Sequence, residues 1–555
     1  DDFKRFRYAV GDVISDACKV LTSTRCLEAG FHALNTQLPL FAANHAENWR
    51  SVEACVFCMR QMVSSNDLTF FSADIVSKMI QLLPTLPAVG ELPNTCIRTI
   101  GTYANWLNRN PEGLPHLLNF VSQGLAKDST AAAASQAMKH LCDACAEHLS
   151  DDATMVQLLQ MYRGTQPLPL HPADRVDLIA ALSFVVSQMD LPKIMPAMHT
   201  IAEPLLAQLH AALEAGGRAS DVANVLEQLC ALLKEVRPSS TAGTENPQLQ
   251  DAPHPSVQML TELWQVLESV FARHGNDSRV MEKLCRCYKH TARNCGASFS
   301  ALVPRLLPQV SNWFDQQPHS CFIYMCNVCI SNFGGMPELL PVFALAYCRL
   351  SNATFRLLSI TSTIPDNPDV VDDYFELSSK VLKRQPSLLL HSEAHSNIAP
   401  NLLTTVFQCG CACLHIQHRE AGRAVVGFFD SLVVLCLQSA RGQSNLSAES
   451  VGALTRLLAE HGAQLVSAIV RSIAGVIQHS RVRFLVPVLK SLIAIDMGTC
   501  RDWLRAAIAS LPADVHTDGA TLVEALLSPE ATADDKVFLN AIDAFSSACR
   551  RKRVV

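Results

Sequence analysis

Along nearly all of this 555-residue chain the apolar residues recur with the 3.6-residue period of helices, and convincing period-2 alternation is absent. The pattern therefore predicts an all-α protein. Phe71, Ile75, Met79 and Leu82, with Val76, Ile80 and Leu83 beside them, make one broad apolar face that stops at Pro84. A capping residue or proline precedes an apolar-periodic run at Asn48, Asn94, Ser129, Ala173 (just after Pro172) and Ser220, which places helix starts there. The intervals are 46, 35, 44 and 47 residues. Each holds two helices and a turn, close to the roughly 40–47-residue period of helical-pair repeats. Such pairs cannot bury their apolar faces alone, so they stack into an α-α superhelical solenoid whose concave side suits protein partners. At that period the chain holds about a dozen to fourteen pairs.

Two aperiodic stretches, RPSSTAGTENPQLQDAPHPS at 237–256 and SARGQSNLSAES at 439–450, read as mobile loops. Neither is long enough to separate domains, and residues 1–555 are expected to form one continuous array.

One helix stands out for its polar face. From Glu282 the chain reads EKLCRCYKHTARNCG. On a helical period Lys283, Arg286, His290 and Arg293 fall within roughly 40° of Arg279, with Lys289 flanking them. Met281, Leu284, Tyr288 and Cys295 lie opposite, as a core face should. A solvated face usually mixes signs, yet this arc holds five cationic or titratable groups, with Glu282 just outside. It calls for an anionic partner. Cys285 and Cys287 project roughly 160° apart on a helix, so they cannot grip one zinc ion, and they read as small, half-buried apolar residues.

Composition narrows the setting. A 49% hydrophobic, 17% charged chain is globular rather than disordered. Its net charge of −6 makes it a poor general binder of nucleic acid, so any anion site must be local. The 21 cysteines are scattered rather than set in a disulfide framework, which fits a reducing cytosol or nucleus. The apolar runs from Val425 and Leu465 are broken by Asp430 and Arg471, too soon to span a bilayer. The opening DDFKRF has neither an initiator methionine nor a signal pattern, and it reads as part of a longer polypeptide.

Motifs of catalysis are not found: there is no phosphate loop, dinucleotide fingerprint, nucleophile elbow or zincin helix. No cofactor or metal is expected. HSEAH at 391–395 has its glutamate at the wrong offset for a metalloprotease. CGCACLHIQH at 409–418 lacks a second cysteine pair and lies in an apolar helical run. Cys55/Cys58 and Cys142/Cys145 read as mid-helix core residues. NPDVVDDYFE at 367–376 gathers four acids without the glycine of a calcium loop, and it reads as the capping of a helix start. The terminal CRRKRVV suits either a helix C-terminus or a nuclear-import signal.

DDFKRFRYAVGDVISDAC at the start, ASQAMKHLCDAC at 134–145, RVMEKLCRCYKHTARNCG at 279–296, HSCFIY at 319–324, NPDVVDDYFEL at 367–377 and TCRDWL at 499–504 together resemble the importin-β superfamily of nuclear transport receptors. Within it they look like the transportin-SR branch, which imports serine/arginine-rich splicing factors. The resemblance implies a HEAT-repeat (ARM-like) solenoid and a non-enzymatic import receptor shuttling between cytoplasm and nucleus through nucleoporins. Its cargo would be proteins carrying phosphorylated Ser/Arg repeats. Ran-GTP would release that cargo, binding chiefly through repeats upstream of Asp1. The family's arginine-rich cargo helix is similar to the stretch at 279–296, with Lys283, Arg286, Lys289 and Arg293 at its basic positions. Two of these four are lysine where the branch has arginine, which weakens bidentate recognition of phosphate. A sister branch with other cargo, or a helical-repeat scaffold such as a phosphatase or signalling platform, fits the same stripe.

Overall fold

The structure is a computed structural model describing residues 2–63, 73–238, 253–359, 361–390 and 401–552. Among these residues every regular element is helical and no strand occurs. They divide into two compact units, Asp1–Arg273 and His274–Val555. In the first, α1 (Asp2–Leu21), α2 (His45–Gln61), α3 (Leu92–Thr102), α4 (Asp128–Ala144), α5 (Pro172–Val186) and α6 (Ala219–Glu235) pack side by side in one layer. Helices such as Ser23–Ala43 and Leu191–Glu214 pair with them from a second layer. The second unit repeats the plan. There α7 (Ser278–Asn294), α8 (Ser320–Phe333), α9 (Pro368–Arg384), α10 (Arg419–Ala440), α11 (Val486–Ile495) and α12 (Asp535–Arg551) form one layer. Val303–Gln316, Leu340–Leu358, Ala448–Arg471 and Met497–Ala509 belong to the other.

The expected cadence is present, with starts displaced by up to three residues for identifiable reasons. Asn44, rather than Asn48, caps α2, its side-chain oxygen accepting from the Glu47 amide at 3.4 Å. Asn48 instead donates to the Leu40 carbonyl at 2.9 Å, tying off the preceding helix. Pro93 and Pro172 sit in the first turns of α3 and α5, where a missing N–H costs nothing. The expected start at Phe71 lies outside the described residues; Ala73–Leu82 is helical, and Pro84 falls in a short 3-10 turn, Leu83–Thr85. Most of the predicted loop 237–256 also lies outside the described residues, and Pro255 already opens the helix Pro255–Glu262. The loop expected at 439–450 is shorter, because Ala440 ends α10 and Ser447 caps the next helix, accepting from the Ser450 amide at 3.2 Å.

Buried polar groups fix how neighbouring helices register. Tyr374 of α9 donates to the Ser351 hydroxyl at 2.8 Å and Tyr347 donates to Ser378 at 3.0 Å, so two tyrosines are buried without an orphaned hydroxyl. They lock α9 to Leu340–Leu358. Further along, the buried Arg481 donates from Nη1 to the carbonyls of Ile416 (3.1 Å) and Gln417 (2.9 Å). Its guanidinium lies against α10 at Gly422, where an added Cβ would stand 1.8 Å from Nη2.

Candidate functional site

The basic stripe is carried by α7. Asp277 begins the helix by accepting from the amides of Arg279 (3.0 Å) and Val280 (3.2 Å). Val280, Met281, Leu284, Cys285, Cys287, Tyr288, Thr291 and Ala292 are buried. Cys285 and Cys287 are thus fully in the core, not half-buried, one on each flank of the apolar face. Of the six expected site residues, Arg279 and Arg293 are exposed, while Lys283, Arg286, Lys289 and His290 are half-buried.

The stripe is less uniformly positive than its helical projection. Glu282, just outside the arc, reaches one turn along the helix, and Arg286 Nη2 donates to its Oε1 at 2.6 Å. Arg279 stands 3.6 Å from Asp277. The next helix, α8, supplies Tyr324: Arg293 Nη2 donates to its hydroxyl at 2.9 Å, and Lys289 Nζ sits 4.9 Å from its ring centroid. One aromatic ring thus holds two cations of the stripe in place.

Beyond α8, α9 brings acids towards the same place. Cys285, Arg286, Lys289 and His290 share a cleft of about 410 Å³ with Ser320, Cys321, Tyr324 and Asp373. An adjoining hollow sets Arg279 and Glu282 against Asp366 and Asp369. Burial, with repulsion from Asp372, Glu376 and Asp369, pushes the Asp373 carboxyl up to about 7 although Ser320 hydrogen-bonds it. Burial likewise raises Asp372, helped by Glu376 and Glu420. These acids do not cap the helix as their sequence suggested. Asn367 at the N-cap makes no side-chain capping bond, and its amide donates to the Thr363 carbonyl at 2.8 Å. Chemically, the arrangement offers an anion the α7 side and a cation the α9 side.

Other candidates are distributed elsewhere. A hydrogen bond with Cys321 and burial push the Cys285 thiol well above its ordinary range, which leaves it a poor nucleophile. Cys142 is near the end of α4 and Cys145 is its cap, so this pair is not mid-helix. Between Cys409 and His418, His415 contacts the Ala468 carbonyl at 3.2 Å while His418 caps α10, so the two rings face different partners. Among the described residues no group of three or more His, Cys, Asp or Glu converges as metal ligands. HSEAH lies outside the described residues. Near the C-terminus Arg550 donates to the Ile477 carbonyl and Lys552 to Asp518 at 2.6 Å, the behaviour of a docked helix end. No described helix is long and apolar enough to cross a membrane.

Comparison with known proteins places this geometry. Residues 254–358, which contain α7 and Tyr324, match the family described as the Transportin-3/Importin-13 fourth TPR domain, and residues 73–161 match its third. The solved structure titled "Importin13 cytosolic state" superposes with a TM-score of 0.83 over 99% of this chain and 60% of that one, at 16% identity. Over these segments the chain is similar to the Transportin-3/Importin-13 family. Its fold is the HEAT-repeat helical solenoid. Transportin MOS14 of Arabidopsis thaliana is 24% identical over 571 residues, covering all of this chain and 56% of its own length. Human importin-13 is 22% identical over 480 residues, 84% of this chain and 47% of that protein. The chain thus spans about half the length of the curated relatives it matches. The acids of α9 fall beyond the matched segment 254–358.

Proposed function

We propose that this chain is the cargo-binding part of a karyopherin-β-type nuclear import receptor, a carrier rather than a catalyst, which moves between cytoplasm and nucleus past nucleoporins. Cargo with phosphorylated Ser/Arg repeats docks on Arg279, Lys283, Arg286, Lys289, His290 and Arg293, and Ran-GTP bound by the wider receptor releases it. The observation that carries this reading is the alignment of these groups on one helix, steadied by Tyr324. Phosphoserine brings nearly two negative charges and three acceptor oxygens to such a row. The arginines that alternate with it in the cargo find Asp369 and Asp373 across the cleft. Unphosphorylated repeats, wholly cationic, are repelled by α7.

The test is a binding titration with a Ser/Arg peptide in both phosphorylation states. Arg286→Glu with Arg293→Glu should weaken the phosphorylated peptide by about a hundredfold. Because Arg286 is half-buried beside Glu282, the neutral pair Arg286→Gln and Arg293→Gln is the better-folded companion. It should weaken binding by about tenfold, with helicity unchanged. Cys285→Ala should bind as the parent does. Equal affinity of parent and both double variants would place cargo elsewhere.

A further inference from the structure

A second set of cations lies in the other unit, on four successive helices of its layer, where no single-helix projection reveals it. Arg7 of α1 and Arg60 of α2 flank one buried ring, their guanidinium carbons 4.1 and 5.2 Å from the centroid of Phe57. Arg98 of α3 donates from Nε to Asn94 and from Nη1 to Gln136 of α4, both at 2.9 Å. One turn further along α4, Lys139 Nζ stands 2.7 Å from Asp177. Each of α1 to α4 thus contributes one cation to a line that crosses the helix axes.

The two ends of this set are paired within the unit, Arg7 with Glu53 and Lys139 with Asp177, and the two arginines between them are not. Glu53, the buried acid beneath it, is already taken: Arg7 holds both its oxygens, at 2.6 and 3.1 Å, and Thr95 donates to it at 2.5 Å. Among the described residues neither Arg60 nor Arg98 has a carboxylate partner, and Arg98 is held by amide oxygens alone. Burial, together with Arg98 and Arg7, lowers Arg60 from the ordinary guanidinium range despite Glu53. Two guanidiniums are therefore kept half-buried and close to like charges, an arrangement that an incoming anion relieves.

We propose that the line Arg7–Arg60–Arg98–Lys139 is a docking surface for an extended acidic peptide of a partner protein, laid across α1 to α4. Packed helices stand about 8–10 Å apart, and an extended peptide advances about 3.3 Å per residue, so every third side chain meets the next cation. The Arg7–Glu53 fork shows the pairing in place: a carboxylate seated on both arms of a guanidinium. Phe57, the ring between the arginines, is 8% exposed and gives no platform for stacking bases, which favours a peptide over a single-stranded nucleic acid. The surface is independent of α7 and of the cargo reading above.

A labelled peptide of about twelve residues, with aspartate at every third position and Gly and Ser between, tests the spacing by fluorescence anisotropy on the full chain. It should bind, and bind better than a peptide carrying the same aspartates consecutively. Arg60→Ala with Arg98→Ala should weaken it by about tenfold at unchanged helicity. Arg286→Gln with Arg293→Gln, in the other unit, should not change it. If the alanine pair folds poorly, Arg98→Gln alone should give about a threefold loss. The proposal is overturned by no binding of the spaced peptide, by equal binding of the consecutive one, by oligothymidylate of equal charge competing more strongly, or by unchanged affinity in a folded variant.

Discussion

The two cationic surfaces are built on opposite plans. The stripe on α7 runs along one helix, its members a turn apart, and it faces acids: Glu282 on its own helix and Asp373 across the cleft. The line in the first unit runs across helices, one cation from each of α1 to α4, and its acids are spent at its two ends, Glu53 on Arg7 and Asp177 on Lys139. The first is a mixed-charge groove suited to a ligand that alternates in sign. The second is a sparse row suited to anions at wide spacing. Similar side chains thus acquire different selectivity from the direction in which the fold strings them.

That contrast can be broken at its acids. The largest effect is expected at Glu53. Its removal leaves Arg7 half-buried without its carboxylate and Thr95 without its acceptor, so Glu53→Ala should destabilise the first unit by about 3 kcal/mol, measured by denaturant unfolding. Asp373 should behave in the opposite sense. Its carboxyl titrates near 7 when folded, above its usual value near 3.8, so folding favours the protonated form. Stability is therefore lost as pH rises between those two values, and the deficit is complete above about 7. Asp373→Asn should remove this slope, raising stability at pH 8 by about 2 kcal/mol while changing little at pH 4. A parent whose stability does not fall between pH 4 and pH 8 more steeply than the variant's would contradict the burial assigned to this carboxyl. The smallest effect is at Glu282, half of an exposed ion pair. Glu282→Gln should make the stripe more uniformly cationic, like the line across α1 to α4, tightening a phosphorylated Ser/Arg peptide about threefold.

Much of this was legible in the residues. The helical period, the repeat cadence from His45 to Ala219, the apolar and basic sides of α7 and the importin-β likeness all follow from local patterns. What escaped was what only packing assembles. Tyr324 entered only as the last residue of HSCFIY, because nothing within α8 says that its hydroxyl meets Arg293 from the preceding pair. The acids of α9 looked like caps, since a carboxylate near a helix start has that explanation ready; their crowding against α8 and α10 depends on stacking. Arg7, Arg60, Arg98 and Lys139 span 132 residues of sequence and share no helix, so no window along the chain joins them.

Arg481 carries a consequence for how the second unit bears load. In a stack of helical pairs each pair grips only its neighbours, and most of that grip is dry side-chain packing that a steady pull peels apart gradually. The bonds from Arg481 to the carbonyls of Ile416 and Gln417 bridge residues more than sixty positions apart, and the guanidinium sits where Gly422 leaves room for it. Pulling the 3-10 turn His479–Leu485 away from the segment that leads into α10 means withdrawing a buried cation from two acceptors at once, so this seam yields abruptly rather than by degrees. Under tension the array bends at its packed joints and stays riveted here.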